Sequence, residues 1–217
     1  GRPHLRPVLT SPAMVCRALS GAATLRHNIL LGAWRRVAAR AGVATSAEPV
    51  LNKLGGARAL AVAREARVLP DASRGDALLV LPNALTVVDV SVVHPAAVTF
   101  ARAASRVDGA AAASRDTLKR TKYATASADA YAFVPLSVES YGRLGQPAME
   151  LLNVLATVAS ASGFVDKAAF VSNALRELGV ALCRGQGLLF RAGLKTLARA
   201  SGVAFAAGAS APTAEVS

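Results

Sequence analysis

Acidic side chains are scarce in this sequence: 13 Asp and Glu residues stand against 25 Lys and Arg residues, which leaves a formal net charge of +12. Cysteine is scarcer still. Cys16 and Cys183 are too few for a disulfide framework, so a reducing compartment is the default expectation. Aromatic residues make up only 5% of the chain. No apolar run reaches the roughly 18 residues of a membrane-spanning helix, so no such helix is expected.

The excess of basic residues predicts attraction to a polyanion, and nucleic acid is the commonest one in cells. A basic proteome would give the same charge without a specific function, and composition leaves that alternative open. A membrane surface is a weaker candidate, because no basic amphipathic helix with bulky apolar anchors is present. Composition therefore favours a nucleic-acid partner.

The chain is long enough for one domain with a substantial core. We predict an irregular, proline-containing lead-in over residues 1–24, a folded domain over 25–202 and a disordered tail over 203–217. The first residues include neither an initiator methionine nor a signal-peptide core, so we expect the sequence to be a piece of a longer protein.

Hydrophobic periodicity predicts the secondary structure of the folded domain. Helices are expected over residues 26–42, 110–128, 147–161, 166–183 and 188–200, and extended segments over 45–51, 76–81, 85–93 and 131–139. Pro135 indicates that the last strand lies at a sheet edge or starts after the proline. The order of elements predicts an α/β fold, a mixed sheet flanked by helices with extra helices at the C-terminal end.

Two aspartates flank the strongest strand pair. A symmetric turn at Pro82-Asn83 pairs Asp76 with Asp89, about 5 Å apart at Cβ and on one face of the hairpin. That face also carries Leu78 and Val87, and the opposite face is equally apolar. The hairpin is therefore expected to be buried between two layers, with both carboxylates at one end.

Opposed carboxylates in a buried sheet repel each other, and each bears a desolvation cost. A shared proton, an arginine partner such as Arg74, or a divalent cation such as Mg²⁺ or Mn²⁺ would offset that cost. Spacing leaves all three open. Glu48 and Glu139 each end an extended segment, and either is an outer metal ligand or an exposed strand-end carboxylate.

A basic cluster occupies the helix predicted over 110–128. Lys119, Lys122 and Tyr123 are spaced so that they share one helix face, and Arg115 extends it by a turn. A solvated basic stripe is one interpretation. Beside a metal ion, a lysine would instead orient an attacking water or stabilise charge on a phosphate.

Four motifs occur in a characteristic order: Arg26-His27-Asn28, Arg74-Gly75-Asp76, an acid at Asp89, and Lys119-Arg120-Thr121-Lys122-Tyr123. Together they resemble the restriction-like endonuclease domain found downstream of the reverse transcriptase in certain non-LTR retrotransposon polyproteins. That family has an Arg-His-Asn motif, a basic-Pro-Asp motif, a second acid and a Lys-x-x-Lys-Tyr motif. The resemblance covers roughly residues 25–202, and residues 13–16 are a possible remnant of an upstream zinc knuckle.

The resemblance implies a restriction-endonuclease-like fold of the PD-(D/E)XK type. It implies that Asp76 and Asp89 hold Mg²⁺ or Mn²⁺, with Glu48 as a candidate outer ligand, and that Lys119 or Lys122 is the catalytic lysine. Ser91 stands where the wider superfamily often has its lysine, so the lysine must come from the helix instead.

The same resemblance implies a partner and a location. Arg26, His27, Arg74 and Arg115 are expected to contact DNA, which the domain would nick to expose a 3′-hydroxyl for reverse transcription. A catalytically inactive DNA-binding module or a structural remnant is the alternative. The implied partners are DNA and the upstream reverse transcriptase, without a membrane, and the implied location is intracellular and nuclear.

Overall fold

The structure is a computed structural model that describes residues 19–49, 74–123, 131–161, 163 and 165–201. The described residues form five helices: α1 (Ser20–Arg40), α2 (Val98–Ala104), α3 (Ala110–Tyr123), α4 (Gln146–Ser160) and α5 (Lys167–Ser201). They also form four strands: β1 (Ala44–Ala47), β2 (Ala77–Leu81), β3 (Ala84–Val93) and β4 (Ala132–Glu139). The predicted tail, and residues 1–18 with the possible zinc-knuckle remnant, lie outside the described residues.

The four strands form one open mixed sheet in the order β1-β2-β3-β4. Strand β2 runs antiparallel to both β1 and β3, whereas β4 runs parallel to β3. The parallel pair requires a crossover, which α2 and α3 supply. The predicted α/β class with a mixed, helix-flanked sheet is therefore confirmed.

The hairpin has the predicted register. Ala77 pairs with Val88 and Leu81 with Ala84, so the next pair outward would join Asp76 to Asp89. The cause is the tight Pro82-Asn83 turn, which fixes the register of both strands.

The two faces of the hairpin pack against different layers, as the alternation predicts. Ala77, Leu79 and Val88 face the main core, which the sheet forms with α1, α4 and α5. Val87 faces the opposite side, where it packs with Tyr123 of α3 and other apolar side chains, namely Leu78, Leu85, Tyr131 and Phe133. A covered sheet of this kind holds residues at its strand ends firmly in place.

Pro135 lies within β4, at the edge of the sheet, and its register partner is Asp89. The predicted edge position is confirmed. Proline is tolerated there because an edge strand has one side on which a missing N–H breaks no ladder bond.

Three elements differ from the predictions. Helix α1 begins at Ser20, within the segment expected to be irregular, because Ala22, Ala23 and Leu25 extend the helix by more than a turn. Helix α2 occupies part of a segment for which no element was predicted. Helices expected over 166–183 and 188–200 are a single continuous helix, α5.

Gly185 explains the continuity of α5. A Cβ at this position would lie 2.5 Å from Cγ of Arg26, so the glycine allows α5 to pack directly against α1. The contact offsets the low helix propensity of glycine, which costs roughly 1 kcal/mol relative to alanine. Among the described residues, no helix is long and apolar enough to cross a membrane.

Candidate functional site

A cleft of about 410 Å³ opens where β3 extends beyond β2. Strand β2 pairs with β3 only as far as Val88, so the side of β3 opposite β4 has no described strand beside it from Val90 to Val92. The cleft follows this edge between α1 and α3. Its lining consists of Ala23, Arg26, His27, Arg74, Asp76, Asp89, Val90, Ser91, Val92, Arg115, Lys119, Lys122 and Tyr123.

Asp89 is buried in β3, with 4% of its surface exposed. Its Oδ1 forms an ion pair with Nζ of Lys119 from α3. The hydroxyl of Tyr123 donates to Oδ2 at 2.7 Å, and the carbonyl oxygen of Arg74 lies 3.1 Å from the same hydroxyl. Burial, and then the hydrogen bond to Asp89, raises the pKa of Tyr123, which keeps the hydroxyl a donor.

Asp76 lies in a bend just before β2, and its side chain continues the hydrogen bonding to β3. Its Oδ2 accepts a hydrogen bond of 2.6 Å from the backbone N–H of Val90, on the edge that β2 leaves open. Its Oδ1 lies 3.3 Å from Nε2 of His27 on α1. The structure thus brings Asp76 and Asp89 to one cleft, each held by a different helix.

Gly75 stands where the family that the sequence motifs resemble has proline, and the packing gives a physical reason for the glycine. A Cβ at Gly75 would lie 2.3 Å from Cγ1 of Val87, and the Gly75 N–H donates to the carbonyl of Pro49. A proline would clash with the strand and lose the hydrogen bond. Glycine therefore allows the segment with Asp76 to lie against β3.

The wall of the cleft is basic. Arg26 has 9% of its surface exposed, burial lowers its pKa, and its Nη1 donates to Oε1 of Gln186 at 3.2 Å. The Nε atoms of Arg26 and Arg115 are buried and form no hydrogen bond with any described residue. Each of these two Nε atoms is thus a buried, unsatisfied donor, which is costly in a folded protein.

The two candidate lysines lie in different surroundings. Lys119 is mostly buried, with 18% of its side chain exposed, and pairs with Asp89. Lys122 is exposed, and its Nζ lies 5.0 Å from the ring centroid of Tyr123 and 3.5 Å from its hydroxyl. Lys119 therefore reaches the carboxylates, whereas Lys122 lies at the rim.

The two glutamates lie apart from this lining. Glu48 is exposed, and its carboxylate pairs with Nη1 of Arg74 at 3.5 Å. Glu139 is buried, and its Oε1 accepts a hydrogen bond of 3.3 Å from the N–H of Ala112 in the first turn of α3. The expectation of an exposed Glu139 is wrong, because this carboxylate caps a helix N-terminus.

The donor set suits a hard divalent cation. The described residues contain no group of three or more His, Cys, Asp or Glu residues that would enclose a metal. Mg²⁺, however, is usually held by one or two carboxylates and keeps several waters. Asp76, Asp89 and the backbone of Val90 on the open strand edge are consistent with that type of site.

Sequence reasoning missed Tyr123 as a site residue. Its position four residues after Lys119 was the available signal, because this spacing brings both side chains to one helix face. The N–H of Val90 was also missed, since backbone donors at an open strand edge have no signature in the sequence. The chain matches no protein-family model and no curated protein sequence.

His27 is expected to make stability depend on pH. Its hydrogen bond to Asp76 raises its pKa above the ordinary 6.5, against a smaller opposing effect of burial. The folded state thus binds the proton more tightly. The stabilising contribution is complete below pH 6.5 and is lost as the pH rises through the raised folded value.

We expect urea unfolding to show that His27→Gln lowers the free energy of unfolding more in acid than above about pH 8. His94→Gln is the matched control with the opposite sign, since burial and then Arg26 lower the pKa of His94. A pH-independent effect of His27→Gln would contradict the assignment of its partner.

Asp116 is a buried acid on α3 outside the cleft lining, with 5% of its surface exposed. Neither carboxylate oxygen forms a well-aligned hydrogen bond with a described residue. Burial raises its pKa, and nearby Ser137 and Arg120 moderate the effect. The charged form is therefore disfavoured in the folded state, and stability falls as the pH rises from 3.8 through the raised value.

We expect Asp116→Asn to increase the free energy of unfolding at neutral pH by about 1 kcal/mol, because it removes a buried charge whose desolvation outweighs the effect of its neighbours. Chemical denaturation across pH values measures the change. The exposed Asp108→Asn is the control and should change stability by less than about 0.5 kcal/mol. A loss of stability in Asp116→Asn would show that the carboxylate has a stabilising partner.

Proposed function

We propose that this chain is a metal-dependent DNA endonuclease that nicks one strand of a duplex. The observation that carries the proposal is the convergence of Asp76, Asp89 and Lys119 on one cleft with a basic wall. Two carboxylates suit a divalent cation, and lysine and arginine side chains stabilise the charge that develops on a phosphodiester during hydrolysis. The four ordered motifs and the mixed sheet support a restriction-endonuclease-like fold of the PD-(D/E)XK type.

Asp76 and Asp89 would hold Mg²⁺ or Mn²⁺, assisted by the backbone carbonyl of Val90. When bound, such a cation lowers the pKa of a coordinated water and polarises the phosphate. The surrounding residues orient the carboxylates: Tyr123 donates to Asp89, and the Val90 N–H and His27 hold the two oxygens of Asp76. Supporting hydrogen bonds of this type fix ligand geometry.

In the hydrolysis, a water oxygen attacks phosphorus and the bond from phosphorus to the 3′ oxygen breaks. The leaving oxygen takes a proton, so the products are a 3′-hydroxyl and a 5′-phosphate. Lys119 is the residue that positions the water and neutralises charge on the phosphate, because its ammonium group lies at Asp89. Lys122 at the rim contributes a phosphate contact.

Arg26, Arg74 and Arg115 are suited to holding the scissile strand. Arginine presents several donors in a planar fork that matches phosphate oxygens, and all three of these arginines line the cleft. Most of the affinity for DNA would then come from phosphate contacts and would fall steeply with salt.

A second function is favoured by one observation. Every carboxylate oxygen of Asp76 and Asp89 already has a protein partner, namely His27, the Val90 N–H, Lys119 or Tyr123. A network that is neutralised in this way is also what a non-catalytic DNA-binding module, or a remnant of a nuclease, would retain. Metal dependence distinguishes the two functions.

The test is conversion of supercoiled plasmid to the open-circular form by the full chain with Mg²⁺. We expect nicking that stops when Mg²⁺ is chelated and returns when Mn²⁺ is added. The Asp89→Ala variant, purified in the same way, controls for contaminating nuclease. Salt-sensitive duplex binding without nicking by either protein would favour the non-catalytic module. Absence of both binding and nicking would favour the remnant.

The reaction that the nick would serve is implied by the resemblance of the four motifs and is part of the proposal. The nick would expose a 3′-hydroxyl from which an upstream reverse transcriptase of the same polyprotein primes synthesis. Such a reaction takes place on chromosomal DNA, so a nuclear location is proposed with it.

A further inference from the structure

A line of four cations runs along the second half of α5. Arg184, Arg191, Lys195 and Arg199 are separated by seven, four and four residues, spacings that keep them on one face of an α-helix. All four are exposed. The line spans about 22 Å at the helical rise per residue. We call these four residues the α5 stripe.

The four stripe cations form no ion pair with an acidic residue among those that the structure describes. Glu177 is the last acidic residue of α5, and Arg36 and Arg40 of α1 already pair with it. Four like charges in a line repel one another, so the arrangement costs stability unless an anion neutralises it.

Neither the helix dipole nor packing accounts for the stripe. Cations are favoured in the last turn of a helix, but only Arg199 lies there, and Arg184 and Arg191 lie several turns earlier. Leu182 and Leu189, which are buried, lie on a different side of the helix from the four cations. The stripe is therefore presented to solvent.

The stripe starts beside the cleft. Gly185, the residue after Arg184, packs against Arg26, and Gln186 accepts a hydrogen bond from the same guanidinium. Arg26 in turn lines the cleft with Asp76 and Asp89. The first cation of the stripe is therefore adjacent in sequence to a residue that contacts the cleft wall.

We propose that the α5 stripe is a second contact surface for duplex DNA, which binds the phosphate backbone flanking the nicked position. This inference rests on the proposed function. The length of the stripe corresponds to about six base pairs of duplex. Single cations at helical spacing suit phosphates along a strand and do not read bases, so the contact is independent of sequence.

The test compares the full-length parent with the triple variant Arg184→Gln, Arg191→Gln, Lys195→Gln, using duplexes of increasing length at several salt concentrations. We expect weaker binding to long duplexes only. The slope of log affinity against log salt should fall by about 2.7, since each lost phosphate contact contributes about 0.9. Nicking of a short duplex in Mg²⁺ should keep its rate.

The matched control is Arg102→Gln, Arg106→Gln, Lys167→Gln, which removes three equally exposed cations elsewhere. Equal losses in the two triple variants, or no dependence on duplex length, would overturn the inference. If the triple variant unfolds, the single variant Lys195→Gln replaces it in the test. It should lower the slope of log affinity against log salt by about 0.9. Binding is measured separately from nicking. If the stripe does not bind DNA, the salt slope of the triple variant stays unchanged; if the cleft has no activity, the parent protein does not nick.

Discussion

Replacing Asp89 by asparagine is expected to reduce Mg²⁺-dependent nicking by at least about 100-fold, because a carboxylate that holds the cation supplies several kcal/mol of transition-state stabilisation. Asparagine keeps the size of the side chain and an acceptor for the Tyr123 hydroxyl. Duplex binding should therefore change by only a few fold. A plasmid-nicking time course with parallel binding measurements tests both expectations.

Asp108→Asn is the matched control for this variant. It removes one exposed carboxylate, which pairs with Arg143 at 3.3 Å outside the cleft, and should leave nicking unchanged. Thermal unfolding of both variants checks that the fold is retained. Nicking by Asp89→Asn at the parent rate would remove Asp89 from the site and with it the proposed metal pair.

Replacing Lys119 by methionine is expected to lower the maximal nicking rate by about 100-fold or more, whereas Lys122→Met should lower it less than about tenfold. The two lysines lie on the same helix, and only Lys119 pairs with the buried Asp89. Lys122 at the rim should affect mainly the DNA concentration at half-maximal rate, as a contact made equally in the ground and transition states does.

Single-turnover kinetics at varied DNA concentration separate these two effects. Lys119→Met also leaves the Asp89 carboxylate with Tyr123 alone, so a lower melting temperature is expected for it and not for Lys122→Met. Rates are compared below the melting temperature of both variants. Equal effects of the two substitutions would show that neither lysine acts at the reacting phosphate.

The sequence predicted the hairpin more accurately than any other part of the fold. The short, symmetric turn at Pro82-Asn83 sets the register of the two strands, so the proximity of Asp76 and Asp89 followed from local information. Pro135 likewise indicated an edge strand because of a local property, its missing N–H.

Long helices were predicted less well, for an identifiable reason. Gly185 and Gly187 weaken the helical pattern of α5, and only its packing against Arg26 explains why the helix continues through them. Local propensity does not contain that contact. The same limit applies to Glu139, which the pattern describes as a strand end and the structure shows capping α3.

The sequence by itself determined the class of the fold, the hairpin that carries both aspartates, and the shared helix face of Lys119, Lys122 and Tyr123. These features depend on periodicity and turn chemistry, which act over a few residues. The tertiary structure alone decided which lysine meets Asp89 and that His27 and the Val90 N–H hold Asp76. It also decided that α5 packs against Arg26 of the cleft wall. Such pairings join residues far apart in the chain, and they exist only once the layers have packed around the sheet.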